Sequence, residues 1–329
     1  MDQGRKRILS GVQPSGKPHL GNYFGAIKQH ISLQDEAECF YFIADYHALT
    51  TIQDPKALSE NVQDVALTYL ALGLDPAKAV FFRQSDVPEV TELTWFLSTV
   101  TNMGLLERAV SYKEKIEKGI EASVGLFTYP MLMASDILIY RSHLVPVGKD
   151  QVQHIEMTQD IAGRFNRAYK KVFPIPGWRL DKESKVLGTD GQKMSKSYGN
   201  VIEIFAEGKA LQKTVMSIVT DSTPVEAPKD PERCNVFALY SLFATEEEKT
   251  ALAARYRTGG MGYGDAKKLL IQKIDTYFAA ARERRKQLQQ NPAHVEDVLR
   301  GGAQRARAEA QKTMELVREA VGMKPHSVA

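Results

Sequence analysis

The pattern of apolar positions predicts that strands and helices alternate over the first half of the chain. Arg7 to Val12, Cys39 to Asp45 and Ala79 to Gln84 are short and almost continuously apolar, as strands covered on both faces are. Helical spacing lies between them, with Pro55 at the start of one helix and Gly73 at its end. This alternation predicts an α/β fold with a Rossmann-like, mostly parallel sheet, whose ligands bind beyond the carboxyl ends of the strands.

The pattern of apolar positions changes towards the C-terminus. Helical spacing returns at Glu89 to Thr99 and at Asp150 to Lys171, and a polar, turn-rich loop follows from about 181 to 200. Beyond that loop the strand signals fade and helical patterns dominate. We therefore predict a Rossmann-like catalytic domain over residues 1–200, followed by a smaller all-helical region over residues 201–329.

The segment from Ser10 to Ile27 is predicted to be a strand-to-helix turn that suits a phosphate ligand. A helix N-terminus offers unpaired N–H groups and a partial positive charge, and glycines allow a ligand to approach the backbone closely. His19 and Asn22 are three positions apart, so both side chains can face one bound group. The glycines are Gly11, Gly16 and Gly21. A plain glycine-rich connection with a capping Asn is the alternative.

A second candidate is the pentapeptide Lys193-Met194-Ser195-Lys196-Ser197. Its two ammonium groups lie among hydroxyls and nearby glycines, so a mobile loop could grip phosphates that gain charge in a transition state. An isolated pair of lysines at this spacing is also typical of an ordinary exposed basic loop.

Composition narrows the class of protein only slightly. The 329 residues are 43% hydrophobic, which is enough for two domains, and the net charge of +3 is too mild to indicate nucleic-acid binding. Cys39 and Cys234 are far apart and have no metal-site spacing, so we expect reduced thiols and no metal site in the protein itself. No apolar run reaches the length of a membrane span, and we expect a cytoplasmic protein.

The C-terminal tail is modestly basic. Residues 281–329 contain ten Lys and Arg against six Asp and Glu. This charge fits an RNA-facing surface, and it fits solvated helix faces equally well.

Two motifs together resemble the signatures of class I aminoacyl-tRNA synthetases. PSGKPHLGN is similar to their first signature, and KMSKS matches their second letter for letter. The fuller wording SGVQPSGKPHLGNYFGAI, YPMLMASDILIY, VPVGKDQVQHIE and GQKMSKSYGN resembles the tryptophanyl-tRNA synthetase family over most of the chain. The resemblance implies ATP as a substrate, with Mg²⁺ carried on it.

The resemblance also implies roles for individual residues on the ATP side. The catalytic group would be His19, Lys193, Lys196 and Lys115. The residues expected to contact ATP are Gln13, Pro14, Ser15, Gly21, Asn22, Gly148, Lys149, Asp150, Val186, Lys193, Met194, Ser195, Lys196 and Ser197. Val186 would pack against the adenine.

On the amino-acid side, the resemblance implies that Asp136 accepts the indole N–H of tryptophan. Indole has one donor and no acceptor, so a fixed carboxylate would select it. The expected tryptophan contacts are Asp136, Tyr129, Gln151, Gln13, Met133 and His47. The alternatives are that Asp136 caps a helix and that Met133 only fills the core.

The implied reaction needs no protein nucleophile. The tryptophan carboxylate attacks the α-phosphorus of ATP, pyrophosphate leaves, and the acyl group passes to the 3′-terminal ribose of tRNA(Trp). The helical region would recognise the anticodon, and the family resemblance implies a homodimer. Leu9 and Lys149 differ from the wording expected of bacterial relatives, which leaves indole packing and ribose contact open.

Three other functions fit part of this pattern. A tyrosyl-tRNA synthetase shares the fold and signatures but must satisfy a phenol hydroxyl. A nucleotidyltransferase with the same sheet type would lack KMSKS and the helical tail. A non-catalytic, synthetase-like regulator would bind tryptophan or tRNA, but it could have lost groups such as His19, Lys196 and Asp136, all of which are present.

Overall fold

A parallel sheet forms the centre of the molecule. The computed structural model describes residues 5–109, 123–180 and 186–323. Its strands are β1 (Arg7–Val12), β2 (Glu38–Ile43), β3 (Ala79–Arg83), β4 (Leu144–Val147) and β5 (Gly177–Leu180). Within these residues they form one five-stranded sheet in the order β3-β2-β1-β4-β5, with every neighbouring pair parallel. The predicted Rossmann-like fold class is confirmed.

The strand order reverses beside β1, which lies between β2 and β4. Arg7 to Val12 pair with Glu38 to Ile43 on one side, and Ile8 pairs with Leu144 on the other. Chain connections leave β1 and β4 in opposite directions, so a crevice opens beyond their carboxyl ends. The topology therefore predicts the ligand site next to residues 12–13 and 147–148.

Helices and short turns connect these strands. The first helix is continuous and contains a π-helical turn: α1 (Leu20–Asn22), the π turn Tyr23–Ile27 and α2 (Lys28–Leu33). The next are α3 (Asp45–Ala48), α4 (Pro55–Leu72), α5 (Glu89–Thr99), α6 (Met103–Leu106), α7 (Val124–Ile139) and α8 (Val152–Ala168). Then follow α9 (Gly208–Met216), α10 (Asn235–Ser241), α11 (Glu246–Thr258), α12 (Tyr263–Gln290) and α13 (Pro292–Ala320). Single 3₁₀ turns occupy Gln84–Asp86, Lys149–Gln151, Lys196–Tyr198 and Pro231–Arg233.

The residues predicted to begin and end helix α4 do so in the structure. Asp54 Oδ1 accepts hydrogen bonds from the backbone N–H groups of Lys56 and Ala57 at 2.9 and 3.3 Å. Pro55 occupies the first helical position, and Gly73 ends the helix at φ 109°, in the left-handed region that glycine adopts without strain.

Both faces of the sheet are covered. Ile8 and Tyr41 belong to one buried apolar cluster, while their neighbours Leu9 and Phe40 belong to the other. Successive residues of a strand point to opposite faces, so a strand buried on both faces must be apolar at almost every position. This is the reason that the predicted strands lack alternation.

The helices after residue 200 pack against the sheet domain as well as one another. Helix α12 packs on α4, and α13 packs on α5 and along β3, the edge strand. A Cβ added to Gly302 would lie only 1.8 Å from the backbone oxygen of Phe81, so only glycine permits this approach. Arg305 Nη2 also donates to the carbonyl of Ala79 at 2.9 Å. The domain boundary near residue 200 stays a prediction.

Strand β5 was not predicted from the sequence. Gly177–Leu180 has only four residues, follows a Pro-Gly break and is largely exposed, so it has no apolar run to reveal it. It is held by pairing with β4 and by contacts with α8. Among the helices of residues 5–109, 123–180 and 186–323, none is both long and apolar enough to cross a membrane.

Candidate functional site

The turn after β1 is held in place from several directions. Gly16 has φ 95°, which favours glycine, and a Cβ on Gly11 would lie 2.5 Å from the Phe42 ring. The backbone N–H of Leu20 donates to the carbonyl of Ile202 at 2.9 Å. Backbone conformation and steric crowding therefore explain the glycines at these two positions, and the conformation of the turn is fixed before a ligand binds.

His19 stands at the entrance of the first helix, with its backbone N–H bonded to Asn22 Oδ1 at 3.0 Å. Its side chain is 6% exposed, and its buried Nδ1 has no hydrogen-bond partner among the described residues. Burial, aided by the nearby Lys196 ammonium, lowers the pKa of His19 to about 4. A Cβ on Gly21 would lie 2.9 Å from this ring, so glycine is required there. His19 is neutral at neutral pH.

The KMSKS loop meets this turn. Lys196 Nζ donates to the backbone carbonyl of Ser15 at 2.9 Å, although 181 positions separate the two residues. The Lys196 side chain is exposed overall, but partial desolvation of its ammonium lowers its pKa. The structure thus brings the two predicted phosphate-binding segments together.

Asn200 organises the KMSKS loop through its side chain, a role that the sequence analysis did not predict. Its Oδ1 accepts from the backbone N–H of Ser195 at 2.8 Å, and its Nδ2 donates to Asp190 Oδ1 at 2.7 Å and to the carbonyl of Lys193 at 3.1 Å. A Cβ on Gly188 would lie 2.3 Å from the Asn200 amide. The only sequence signal was an Asn in a turn-rich segment.

One cavity of about 380 Å³ lies between the turn, β4 and Lys196. Five predicted ATP contacts line it: Gln13, Ser15, Asn22, Gly148 and Lys196. The remaining ATP contacts of the described residues do not line it: Pro14, Gly21, Lys149, Val186, Lys193, Met194, Ser195 and Ser197. Val186 and Met194 are buried beneath the loop and share a backbone hydrogen bond of 2.9 Å. Lys115 and the Asp150 side chain lie outside the described part of the chain.

A second cavity of about 320 Å³ lies on the other side of the end of β1. All six predicted tryptophan contacts line it: Gln13, His47, Tyr129, Met133, Asp136 and Gln151. Leu9, one of the departures from the expected wording, also lines its wall. The structure therefore gathers the named residues from four separate segments of the chain, which meet where the strand order reverses.

Asp136 is the centre of this second cavity. It is 2% exposed and lies inside α7, far from the first turn, so its alternative as an N-terminal helix cap is wrong. Its Oδ2 accepts from His47 Nε2 at 2.8 Å, and Gln84 Nε2 donates to Oδ1 and Oδ2 at 2.8 and 2.9 Å. Burial raises the pKa of Asp136, while the hydrogen bonds and charge of its partners oppose that rise.

Two further residues of this site were missed. Gln84 had no motif around it, since it only follows a strand. His154 Nε2 and the Tyr129 hydroxyl form a hydrogen bond of 2.7 Å. Neither residue type is diagnostic alone, and only the packing of α7 against its neighbours reveals the contacts.

The two cavities adjoin. The residues that line both are Ser10, Gly11, Gln13, Met133, Val145 and Gln151. Gln13 follows β1 directly, so its side chain lies at the boundary between the cavities. Two ligands bound side by side would therefore meet at the carboxyl end of β1. Among the described residues no cluster of three or more His, Cys, Asp or Glu could hold a metal ion.

The family comparisons agree with this geometry. Residues 1–279 match the family model described as tRNA synthetases class I (W and Y). The class is thus that of the class I synthetases for tryptophan and tyrosine. The chain is 55% identical to a tryptophan–tRNA ligase of Rhodopirellula baltica over 97% of this chain and 100% of the relative, and 53% identical to that of Fusobacterium nucleatum over 97% and 98%.

A solved structure is also similar. It is tryptophanyl-tRNA synthetase from Campylobacter jejuni complexed with ADP and tryptophan, 50% identical, with a TM-score of 0.93 over 96% of this chain and 99% of that one. The chain belongs to the tryptophanyl-tRNA synthetase family. The resemblance predicted from the motifs is confirmed.

Proposed function

We propose that the protein is a tryptophan–tRNA ligase that activates L-tryptophan with ATP and transfers it to the 3′-terminal ribose of tRNA(Trp). The observation that carries the proposal is the pair of adjoining cavities, one beside the glycine turn and Lys196, the other around Asp136. The Campylobacter relative was solved with ADP and tryptophan, a pair that two such cavities would accommodate.

In the second cavity, the buried Asp136 carboxylate would accept the indole N–H. Gln13, Tyr129 and Gln151 would bind the ammonium and carboxylate end of tryptophan, because they supply amide and hydroxyl groups near the junction. His47 and Met133 would form the walls. The shared lining supports an orientation in which the tryptophan carboxylate faces the nucleotide.

In the first cavity, the glycine turn and the helix N-terminus would hold the ATP phosphates. Lys196, and Lys193 and Lys115 with it, would stabilise charge that develops on the phosphates. His19 does not line this cavity, but the Nδ1 of its neutral ring has no partner among the described residues, which supports the proposed hydrogen bond to a ligand. The contact of adenine with Val186 stays a prediction, because that side chain is buried in the core cluster.

The chemistry then consists of positioning and charge stabilisation. The tryptophan carboxylate displaces pyrophosphate from the α-phosphorus, and holding both reactants at the junction replaces a collision in solution. Cationic and N–H groups aimed at the phosphates lower the barrier as charge builds. Mg²⁺ would enter on the triphosphate oxygens, where it neutralises charge.

The region over residues 201–329 would recognise the tRNA anticodon, and its modest positive charge is compatible with that role. A cytoplasmic location follows from the proposed supply of charged tRNA to ribosomes.

We infer a homodimer from the family and from exposed apolar side chains on neighbouring helices. Trp95 on α5 and Met103 on α6 are 69% and 62% exposed. Sedimentation of the wild type and of Trp95→Ser tests this: a dimer that the substitution weakens is expected, and a wild-type monomer at micromolar concentration would contradict it.

Pyrophosphate exchange tests the proposed reaction. The wild type should exchange pyrophosphate into ATP with tryptophan at far lower concentration than with tyrosine, and it should charge tRNA(Trp). Exchange that prefers tyrosine would indicate a tyrosyl-tRNA synthetase. Tryptophan binding without exchange would indicate a non-catalytic regulator.

A further inference from the structure

Gln84 has an unusual position for a residue with no assigned role. It begins the 3₁₀ turn after β3, is 1% exposed and does not line either cavity. Its amide nevertheless touches both oxygens of Asp136, at 2.8 and 2.9 Å. On the other side its Oε1 accepts from the backbone N–H of His47 at 3.4 Å. With the amide reversed, its oxygen would face the carboxylate, so only this orientation satisfies both neighbours.

The hydrogen bonds around Asp136 leave one acceptor position of its carboxylate unfilled. A carboxylate has about four acceptor positions, two on each oxygen. Among the described residues, Oδ2 accepts from both His47 Nε2 and Gln84 Nε2, whereas Oδ1 accepts only from Gln84. One acceptor position therefore remains on Oδ1. The N–H of His47 that faces the carboxylate and the Gln84 amide are both engaged as donors.

We propose that Gln84 is a positioning residue that determines amino-acid specificity by fixing Asp136 so that its carboxylate presents an acceptor, and no donor, to the side chain of the ligand. This inference rests on the proposed function. An indole N–H is fully satisfied by the open position on Oδ1. A phenol hydroxyl can donate there, but Asp136 and its two bonded partners offer its oxygen no free donor, so that oxygen loses hydrogen bonds it makes to water.

The surroundings of Asp136 explain why a second donor is needed. The charged and titratable groups that face it are His47, Asp45 and Tyr140, with Glu89 beyond Tyr140. Asp45 opposes its ionisation, and so does burial; among the groups that the structure describes, His47 and Gln84 favour the carboxylate. Without Gln84 the acid form of Asp136 gains, and that form offers an O–H donor to a phenol while binding indole less well.

The test compares the wild type with Gln84→Met, which keeps length and volume but removes the amide. Pyrophosphate exchange is measured with tryptophan and with tyrosine from pH 6 to 9. A lost hydrogen bond to a charged group corresponds to about a 10- to 100-fold rise in KM for tryptophan, with kcat changed less than about threefold. The pH below which KM rises should move upward, and the preference for tryptophan over tyrosine should fall.

Gln34→Met is the matched control. Gln34 is also buried, and both of its amide atoms are bonded: Nε2 to the carbonyl of Gly73 at 3.2 Å and Oε1 to the N–H of Asp75 at 2.8 Å. It lines neither cavity. Its variant should lose stability without changing the KM for tryptophan, the pH profile or the selectivity.

The possible results separate the two proposals. A Gln84→Met protein with wild-type KM, pH profile and selectivity overturns the positioning role and leaves the proposed function intact. A wild type without tryptophan-dependent exchange overturns the proposed function itself. If Gln84→Met does not fold, Gln84→Asn, whose amide is one methylene too short, must show the raised KM, and a wild-type KM there overturns the role.

Discussion

The two cavities beside β1 differ in how their charged groups are held. The cavity around Asp136 depends on buried side chains, whose hydrogen bonds to one another fix them before a ligand binds. The cavity beside the glycine turn is bounded by that turn and by β4, and its cation, Lys196, is exposed and bonded to a carbonyl oxygen. The two cavities share one wall, yet the carboxylate of one is buried among bonded partners and the cation of the other is exposed.

This difference matches two separate physical tasks. Selecting one amino acid requires a desolvated group whose partners cannot adapt, because an unmatched ligand must pay the full cost of a missing hydrogen bond. Stabilising charge that appears only during reaction requires groups that strengthen their contacts late. A lysine that exchanges a single carbonyl for phosphate oxygens can do so. Changes in the two cavities should therefore affect different kinetic constants.

Asp136→Ala should have the largest effect. Removing the acceptor leaves the indole N–H unpaired in a buried site, so kcat/KM for tryptophan in pyrophosphate exchange should fall by about 10³-fold or more. The affinity for ATP, measured with the same variant, should remain within about threefold. A tenfold or smaller loss would contradict the assigned role of this carboxylate.

Lys196→Ala should have the next largest effect, and on a different constant. The rate of adenylate formation in single turnovers should fall by about 10²- to 10³-fold, while the Kd for tryptophan changes less than about twofold. Lys268→Ala is the control, since Lys268 is exposed and pairs only with Asp265 among its carboxylate neighbours in the described residues. Equal losses in rate and tryptophan affinity would show that the two cavities are not separate in function.

A buried histidine of the nucleotide cavity should make stability depend on pH. His30 lines this cavity, bonds to the Tyr69 hydroxyl at 2.9 Å, and burial lowers its pKa to about 4. The unfolded chain binds this proton near pH 6.5 and the folded chain only near 4, so the free energy of unfolding should fall as pH decreases through that interval, by roughly 3 kcal/mol for this residue.

Urea unfolding between pH 4.5 and 8 measures this dependence. His30→Gln stays neutral and can still bond to Tyr69, so its stability should vary less steeply with pH than that of the wild type. His19, whose pKa is also lowered to about 4, remains in both proteins and should leave part of the slope. Identical slopes would contradict the burial of a neutral His30.

Glu296→Gln should have the smallest effect. Glu296 on α13 pairs with Arg83, the residue before Gln84, through contacts of 2.9 and 2.5 Å, but its side chain is 48% exposed. Loss of such an exposed pair should change the free energy of unfolding by less than about 1 kcal/mol, with KM for tryptophan within about twofold. A large rise in KM would instead mean that α13 controls the amino-acid cavity through Gln84.

Features that depend on neighbouring residues could be predicted from the sequence, whereas contacts between distant residues could not. The strand at Arg7–Val12, the glycine turn and the start and end of α4 follow from residue types at fixed spacing. The contact of Lys196 with Ser15 depends on how residues 16–195 fold, and motif resemblance alone suggested it. Gln84 and Asn200 illustrate the limit, because an amide in a loop shows its importance only through its partners.

The close approach of Gly302 to the backbone of Phe81 has a consequence for the chain while it is being synthesised. Strand β3 is an outer strand of the sheet, and α13, near the end of the sequence, covers it. Until the ribosome has released that helix, a partly synthesised chain presents an open strand edge, which is the kind of surface on which other chains can pair. A helix that is synthesised well after β3 is thus the one that shields this strand edge from aggregation.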